Sequence, residues 1–325
     1  MAFTPGLKPI QDEDSIIALI RHWTVMKNKD NISRTKAYAR FFYMHPEIKW
    51  AFLASMVSRN AGWNMCDLEG IWLPKALSVE YRCRLFLTYE RANWLIFEDA
   101  FPGLLLYHYS TIIRRPMFHL CPFFNISEFM KNEWEWFWEK GDEQRLLFSL
   151  IINEQNLIHT PVMEQKFYKD WVFSSAGFLL QDWMHFSTVL FPVKSGKLYG
   201  LSVNHFKNLD ARIDLGKNLA AILFDSGLFK NFLKFSISTE HTGSRHDYER
   251  FFPYEKRRET PFLRKVYPLI RHHRRDSVNW DQKRGVKQYW FEEAGNPEIK
   301  ELTGWYKNKQ KQLEAGTVLF NLFFK

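Results

Sequence analysis

A chain of 325 residues that is 46% hydrophobic and 17% aromatic can bury a large core, and this composition excludes low-complexity disorder. The net charge of +9 is uneven: His241 to Lys325 holds 18 Lys and Arg against 11 Asp and Glu, a net of +7, which leaves +2 for the remaining 240 residues. Cys66, Cys83 and Cys121, odd in number and widely spaced, exclude a CxxC centre and a disulfide framework and fit a reducing cytosol.

The opening MAFTPGLKPIQDED lacks a basic segment followed by an apolar one, so no secretory signal is expected. The first predicted helix is Ser15–Met26, with Ile16, Ile17, Leu19, Ile20 and Trp23 on one broad face behind Asp12, Glu13 and Asp14. Ser33 is placed to cap a helix reaching Tyr43. Pro46 suits the first turn of the next helix, Glu47 complements its positive end, and Gly62 marks a stop after Asn60. Ser78 caps a long segment to Asp99, and Leu104–Ile113 reads as a separate short helix beyond Pro102. Asn125 or Ser127 opens a helix ending at Gly141, and Asp142–Ile158 and Ala176–Val189 follow as helices. The turn VKSGKLYG predicts a small β-hairpin near 191–204, and Asn208–Phe224 has strong helical spacing.

Beyond Gly243 the pattern weakens into short helices and loops punctuated by Pro253, Pro261, Pro268 and Pro297. The apolar tail Thr317–Phe324 is expected to dock on the core. Neither Ala100–Ile113, which is short and carries Pro102, nor Trp171–Val193, with Asp182 and His185 near its middle, reads as a membrane span. The expected architecture is all-α, a single multi-helix domain over 1–325 with a basic, loop-rich part, 241–325, packed on it. The expected location is the cytoplasm.

Within Pro46–Asn60, Trp50, Leu53, Ala54 and Val57 share a face, while Ala51, Phe52 and Met56 fill much of the rest, which marks a central helix. Arg59, Asn60, Asn64 and Asp67 follow. A buried arginine is costly unless it is paired or holds an anion. Arg59 therefore either caps its helix and pairs with Asp67 or Glu69, or holds a ligand. Arg34 and Lys36 oppose the dipole of the helix they open, which an anion at that helix end would explain; solvated bases behind an Asn31 or Ser33 cap would explain it equally. Ser244 and Asp247 have capping-box spacing, while His241 and Arg245 beside them are candidates for an anion-binding turn. The two motifs, Asn31–Lys36 and His241–Asp247, are expected to meet in space.

Several enzyme signatures are missing: there is no HExxH, GxSxG or GxGxxG, and Gly216-Lys217 lacks the rest of a phosphate-binding loop. His246-Asp247 is the dipeptide of HD phosphohydrolases, for which His205, His241, Asp210 and Asp276 would have to supply the other ligands. Glu133, Glu135 and Glu139 among Trp134, Trp136 and Trp138 read as a surface helix rather than a metal site, and Glu154 as a buried partner of an arginine. No metal is assigned, and no cofactor is identified. The stretch Arg245–Lys287, with Tyr254, Tyr267, Trp280 and Tyr289 among its bases, suits nucleic-acid backbones, although no named motif supports it.

The segments NISRTKAYARFFYMHPEIKWAFLASMVSRNAGWNMCDLEG, ERANWLIFEDAFPGLLLY and INEQNLI resemble the YppC-like family of Bacillus-type bacteria, a domain of unknown function. The resemblance runs from about Arg21 to Trp290. It implies a bacterial, cytosolic protein and transfers no catalytic residue. The residues themselves support a site for a small phosphate- or carboxylate-bearing ligand. Arg34, Arg59 and Arg245 would hold the anion, Asn60, Asn64, Asp67 and Ser244 would order it, and His241 is the acid–base candidate. The other reading is a non-catalytic adaptor that binds nucleic acid or an acidic partner through the basic quarter.

Overall fold

A computed structural model of the chain describes residues 12–159, 188–202, 208–253, 260–274, 279–295 and 297–323, with side chains only to residue 315 in the last helix. Among these residues the fold is all-α apart from one two-stranded antiparallel hairpin. Helix α1 (Glu13–Lys27) starts where the Asp12 carboxylate accepts the Ser15 N–H at 2.7 Å. Helix α2 (Asn31–Met44) is capped by Asp30 rather than Ser33: the Asp30 carboxylate accepts the Ser33 N–H at 2.7 Å. The Ser33 hydroxyl, inside the first turn, accepts from Arg264 instead.

Helix α3 (Lys49–Asp67) begins beyond Pro46 and runs through Gly62, so the expected stop is absent. Gly62 is a contact notch: a Cβ there would lie 2.4 Å from Asn31 Oδ1 and 2.8 Å from the His241 ring. After the short α4 (Leu73–Ala76), helix α5 (Val79–Ile113) is one element of 35 residues, about 52 Å long, where the sequence suggests two. Pro102 sits inside it. Phe97, Phe101, Leu104, Leu105 and Leu106 around the proline are fully buried, and that packing outweighs the single lost backbone donor.

Helices α6 (Glu128–Lys140) and α7 (Glu143–Ile158) match their sequence signals, with Ser127 and Asp142 as N-caps and Gly141 left-handed at φ 67° between them. Strands β1 (Thr188–Pro192) and β2 (Leu198–Ser202) pair with Leu190 opposite Gly200. Val189, expected at the end of a helix, is therefore in a strand, and 176–187 lie outside the described residues. Helix α8 (Leu209–Leu223), capped by Asn208, and α9 (Phe229–Ser238) complete the central part. The short helices α10 (His246–Glu249), α11 (Leu263–Val266) and α12 (Trp280–Arg284) lead to α13 (Thr303–Phe323). The backbone of the apolar tail is helical to Phe323; whether its side chains dock lies outside the described residues.

Helix α3 is central: Trp50, Ala51, Phe52, Met56 and Trp63 are fully buried, packed among α2, α5, α7 and α8. Each large apolar side chain so enclosed contributes about 1.5–3 kcal/mol. A second cluster, with Met65, Cys66, Leu85, Phe86, Leu263 and Leu313, gathers at the far end of α3, so α5 spans both. No helix among the described residues is long and apolar enough to cross a membrane.

The C-terminal part is tied down by charge. Arg245 meets Asp67 at 2.7 Å, Arg264 meets Asp30 at 2.7 Å, Arg274 meets Asp99 at 2.8 Å and Lys287 meets Asp210 at 3.3 Å. In each pair the base lies in the last quarter and the aspartate lies earlier in the chain. Arg257, Arg258 and Arg275 lie outside the described residues.

Candidate functional site

Because α3 continues past Gly62, Arg59, Asn60, Trp63, Asn64 and Asp67 recur at helical spacing as one polar stripe. All five are at most 5% exposed. The stripe faces the turn at His241–Tyr248, and the two motifs separated in sequence do meet: His241 Nε2 lies 2.8 Å from Asn31 Oδ1. Gly243, at φ 83°, makes the turn; a Cβ there would lie 2.7 Å from Leu263 Cβ and 2.9 Å from Cys66 Sγ.

Most of the candidate residues are engaged with other parts of the protein. Asn60 docks the hairpin to α3: its Nδ2 donates to the Leu190 carbonyl and its Oδ1 accepts the Leu190 N–H, both at 2.7 Å. The Arg245 guanidinium donates to Asp67 Oδ2 (2.8 Å), Asn64 Oδ1 (2.9 Å) and the Tyr248 hydroxyl (2.7 Å). Burial works against its charge, but Asp67, Tyr248 and Tyr306 hold its pKa well above the usual arginine value. Ser244 Oγ donates to the Thr260 carbonyl at 2.8 Å and accepts the His246 N–H. The capping box does not form, because the Asp247 carboxylate folds back onto the N–H and hydroxyl of Thr242 rather than onto Ser244. Arg34 is fully buried and donates to Glu90 Oε2 at 2.5 Å and Asn28 Oδ1 at 3.3 Å. The anion at the α2 N-terminus is the protein's own Asp30 carboxylate.

His241 is 1% exposed and has a partner at each ring nitrogen. Asn31 Nδ2 donates to the Ser58 carbonyl, so Asn31 Oδ1 is the acceptor and His241 Nε2–H the donor. Nδ1 lies 3.2 Å from Asp247 Oδ2. A protonated ring would satisfy both oxygens. Burial, and then the nearby Arg59 charge, nevertheless pull the His241 pKa below its usual value against the upward pull of Asp247. The Asp247 carboxyl is held low despite its burial by His241, Thr242 and Trp63, whose Nε1 donates at 3.0 Å.

Arg59 differs from the other two arginines. It is 4% exposed, and its Nη2 donates to the carbonyls of Ser236 and Thr239, both at 3.1 Å. Neither Asp67 nor Glu69 is its partner: Asp67 takes Arg245 and Glu69 takes Arg82. No carboxylate of the described residues forms an ion pair with it. Its Nε and Nη1 have no hydrogen-bond partner, and neither does Oγ1 of Thr239, the residue whose carbonyl it grips. Burial lowers the Arg59 pKa, which the charge of Asp247 partly offsets. The Phe235 ring lies 5.7 Å from the guanidinium carbon, and Tyr43, paired with Ser236 Oγ at 3.0 Å, is the exposed neighbour.

Sequence reasoning missed Ser236 and Thr239, Glu90, and Trp63 as the partner of Asp247. The helical repeat Asn60–Trp63–Asp67 could have revealed Trp63 had Gly62 not been read as a stop. Nothing local marks Thr239, which enters through backbone geometry. Among the described residues no group of three or more His, Cys, Asp or Glu is placed to hold a metal ion. His205 and Asp276, two of the residues an HD-type site would need, lie outside them.

A family model described as a protein of unknown function (DUF2515) matches residues 26–307. The chain is 46% identical over 310 residues to the uncharacterized protein YppC of Bacillus subtilis (strain 168), across 94% of this chain and 96% of that protein. No solved structure matches it.

Proposed function

The chain belongs to the DUF2515 family, and from its geometry we propose that it binds a small oxyanion, a phosphate or carboxylate group, seated against Arg59. The observation that carries this reading is the unequal treatment of Arg34, Arg59 and Arg245, the three buried arginines that the sequence singles out. Arg34 has Glu90 and Arg245 has Asp67, while Arg59 has only two carbonyls and keeps Nε and Nη1 unpartnered beside Thr239 Oγ1. A desolvated guanidinium without a counter-charge is costly, and an oxyanion supplies both the charge and the acceptors. In this reading Asn64, Asp67 and Arg245 fix α3 against the His241 turn, Ser244 ties that turn to Thr260, Asn60 holds the hairpin on α3 and Arg34 joins α2 to α5. His241 bridges Asn31 and Asp247 beside the site.

Isothermal titration of the full chain with inorganic phosphate and with acetate tests it. Saturable one-to-one binding of at least one anion is expected, weakened roughly ten- to a hundredfold by Arg59→Met, the range for charge-assisted hydrogen bonds. Binding of neither anion, or unchanged binding by a folded Arg59→Met protein, overturns the reading.

A further inference from the structure

Away from Arg59, between the α1–α2 turn, the first third of α5 and the segment at 263–269, the surface opens into a cleft of about 330 Å³. That volume lies in the range of small-molecule sites. One wall is apolar. Phe86 and Tyr267 stack with ring centroids 3.7 Å apart and planes within 1°, and Tyr267 is anchored by its hydroxyl donating to the Met65 carbonyl at 2.9 Å. Leu263, buried, and Leu269, 64% exposed at the rim, extend this wall.

The charges lining the cleft can be balanced pair by pair. Asp30 is neutralised by two hydrogen bonds from Arg264, at 2.7 and 3.1 Å. Glu90 is neutralised by Arg34. His272, 4.0 Å from the other Glu90 oxygen, is kept neutral near pH 7, since burial and the charges of Arg91 and Arg34 bring its pKa to about 4. Lys29, exposed and lining the cleft, forms no ion pair among the described residues. The cleft therefore carries one surplus positive charge next to an apolar wall that holds an aromatic stack. The α2 N-terminus contributes nothing further, because Asp30 already caps it.

We propose that this cleft is a second binding site, separate from Arg59, for a monoanionic small molecule with a flat aromatic body. The aromatic body would lie along Phe86, Tyr267, Leu263 and Leu269, with its acid group toward Lys29.

Fluorescence titration of the full chain with 1-anilinonaphthalene-8-sulfonate, and in parallel with its uncharged analogue N-phenyl-1-naphthylamine, tests this. The sulfonate should bind saturably at one site. Lys29→Glu should weaken it about three- to tenfold and leave the uncharged probe unchanged, the scale of an exposed charge interaction reversed in sign. Leu269→Asp should weaken both probes, and Arg59→Met should affect neither. Both altered cleft residues are exposed, so circular dichroism should be unchanged. Absence of saturable sulfonate binding, a Lys29→Glu effect that is equal for both probes or absent for both, or indifference of both probes to Leu269→Asp would overturn the proposal.

Discussion

Gly62 shows how one residue can serve the site by what it lacks. In an exposed helix interior, alanine would be preferred over glycine by about 1 kcal/mol. Here the missing Cβ lets Asn31 and the His241 ring lie directly on the α3 backbone. Gly62→Ala should therefore lower the unfolding free energy, by about 1–3 kcal/mol as the crowded contact shifts. A urea midpoint equal to or above that of the native protein would show that the notch is not needed. Glu154 is a second case. It accepts from Trp50 Nε1 and Gln155 Nε2, both at 3.1 Å, rather than from an arginine. Burial pushes its carboxyl up from 4.5 to about 7. Between those values the folded chain holds a proton that the unfolded chain has released, so this contribution to stability falls as pH rises and is level above about 7. Glu154→Gln removes the effect. Its gain over the native protein in urea unfolding should be larger at pH 8 than at pH 5, and an equal gain at the two pH values would place the carboxyl in the ordinary range.

Among the elements, the end of α2 is joined to α5 by a histidine pair. His45 Nδ1 faces Glu47 Oε1 at 3.2 Å, and His45 Nε2 lies 2.8 Å from His108 Nδ1. Burial lowers both pKa values from 6.5, that of His108 to about 4 with the charge of His45 adding to the shift. Both groups are neutral when folded and take up protons on unfolding below pH 6.5. The stability they give is present above 6.5 and declines as pH falls, for His108 down to about 4, by at most about 1.4 kcal/mol per pH unit for each group. His108→Gln should therefore lose less stability than the native protein between pH 7 and pH 5; an equal loss would show that the pair does not titrate this way. The same elements show where sequence patterns suffice. Helices α6 and α7 were legible because Ser127, Gly141 and Asp142 are strong local caps. Helices α3 and α5 were cut short in the sequence reading because Gly62 and Pro102 are breakers locally, and only the tertiary contacts around them reverse that effect. Arg59, Asn60, Asn64, Asp67, His241, Ser244 and Arg245 could be singled out from sequence as polar residues in unusual company. Which arginine lacked a counter-charge could not, because Glu90, Asp67 and Thr239 reach them from distant parts of the chain.

At the scale of the molecule, the uneven charge acts within the chain. Arg245, Arg264, Arg274 and Lys287 each meet an aspartate of the more nearly neutral part, so four of the quarter's bases are paired within the chain. The pairs differ in depth. Asp99 is 2% exposed and receives Asn153 Nδ2 as well as Arg274, whereas the side chains of Lys287 and Asp210 are far more exposed. Asp99→Asn should cost about 3–5 kcal/mol, because it leaves a buried guanidinium uncompensated. Asp210→Asn should cost less than about 1 kcal/mol. Comparable losses in urea unfolding would mean that burial does not separate the pairs.

The central claim is that, of the buried arginines Arg34, Arg245 and Arg59, the first two complete the fold and the third is left for a ligand. Urea unfolding of Arg34→Met, Arg245→Met and Arg59→Met, each with and without inorganic phosphate, tests it most directly. The account predicts losses of about 3–5 kcal/mol for Arg34→Met and Arg245→Met in either buffer, since Glu90 and Asp67 would be stranded. It predicts a smaller change for Arg59→Met without phosphate, together with loss of the extra stability that phosphate gives the native protein. A phosphate-dependent gain that survives Arg59→Met, with all three variants equally destabilised, would contradict it.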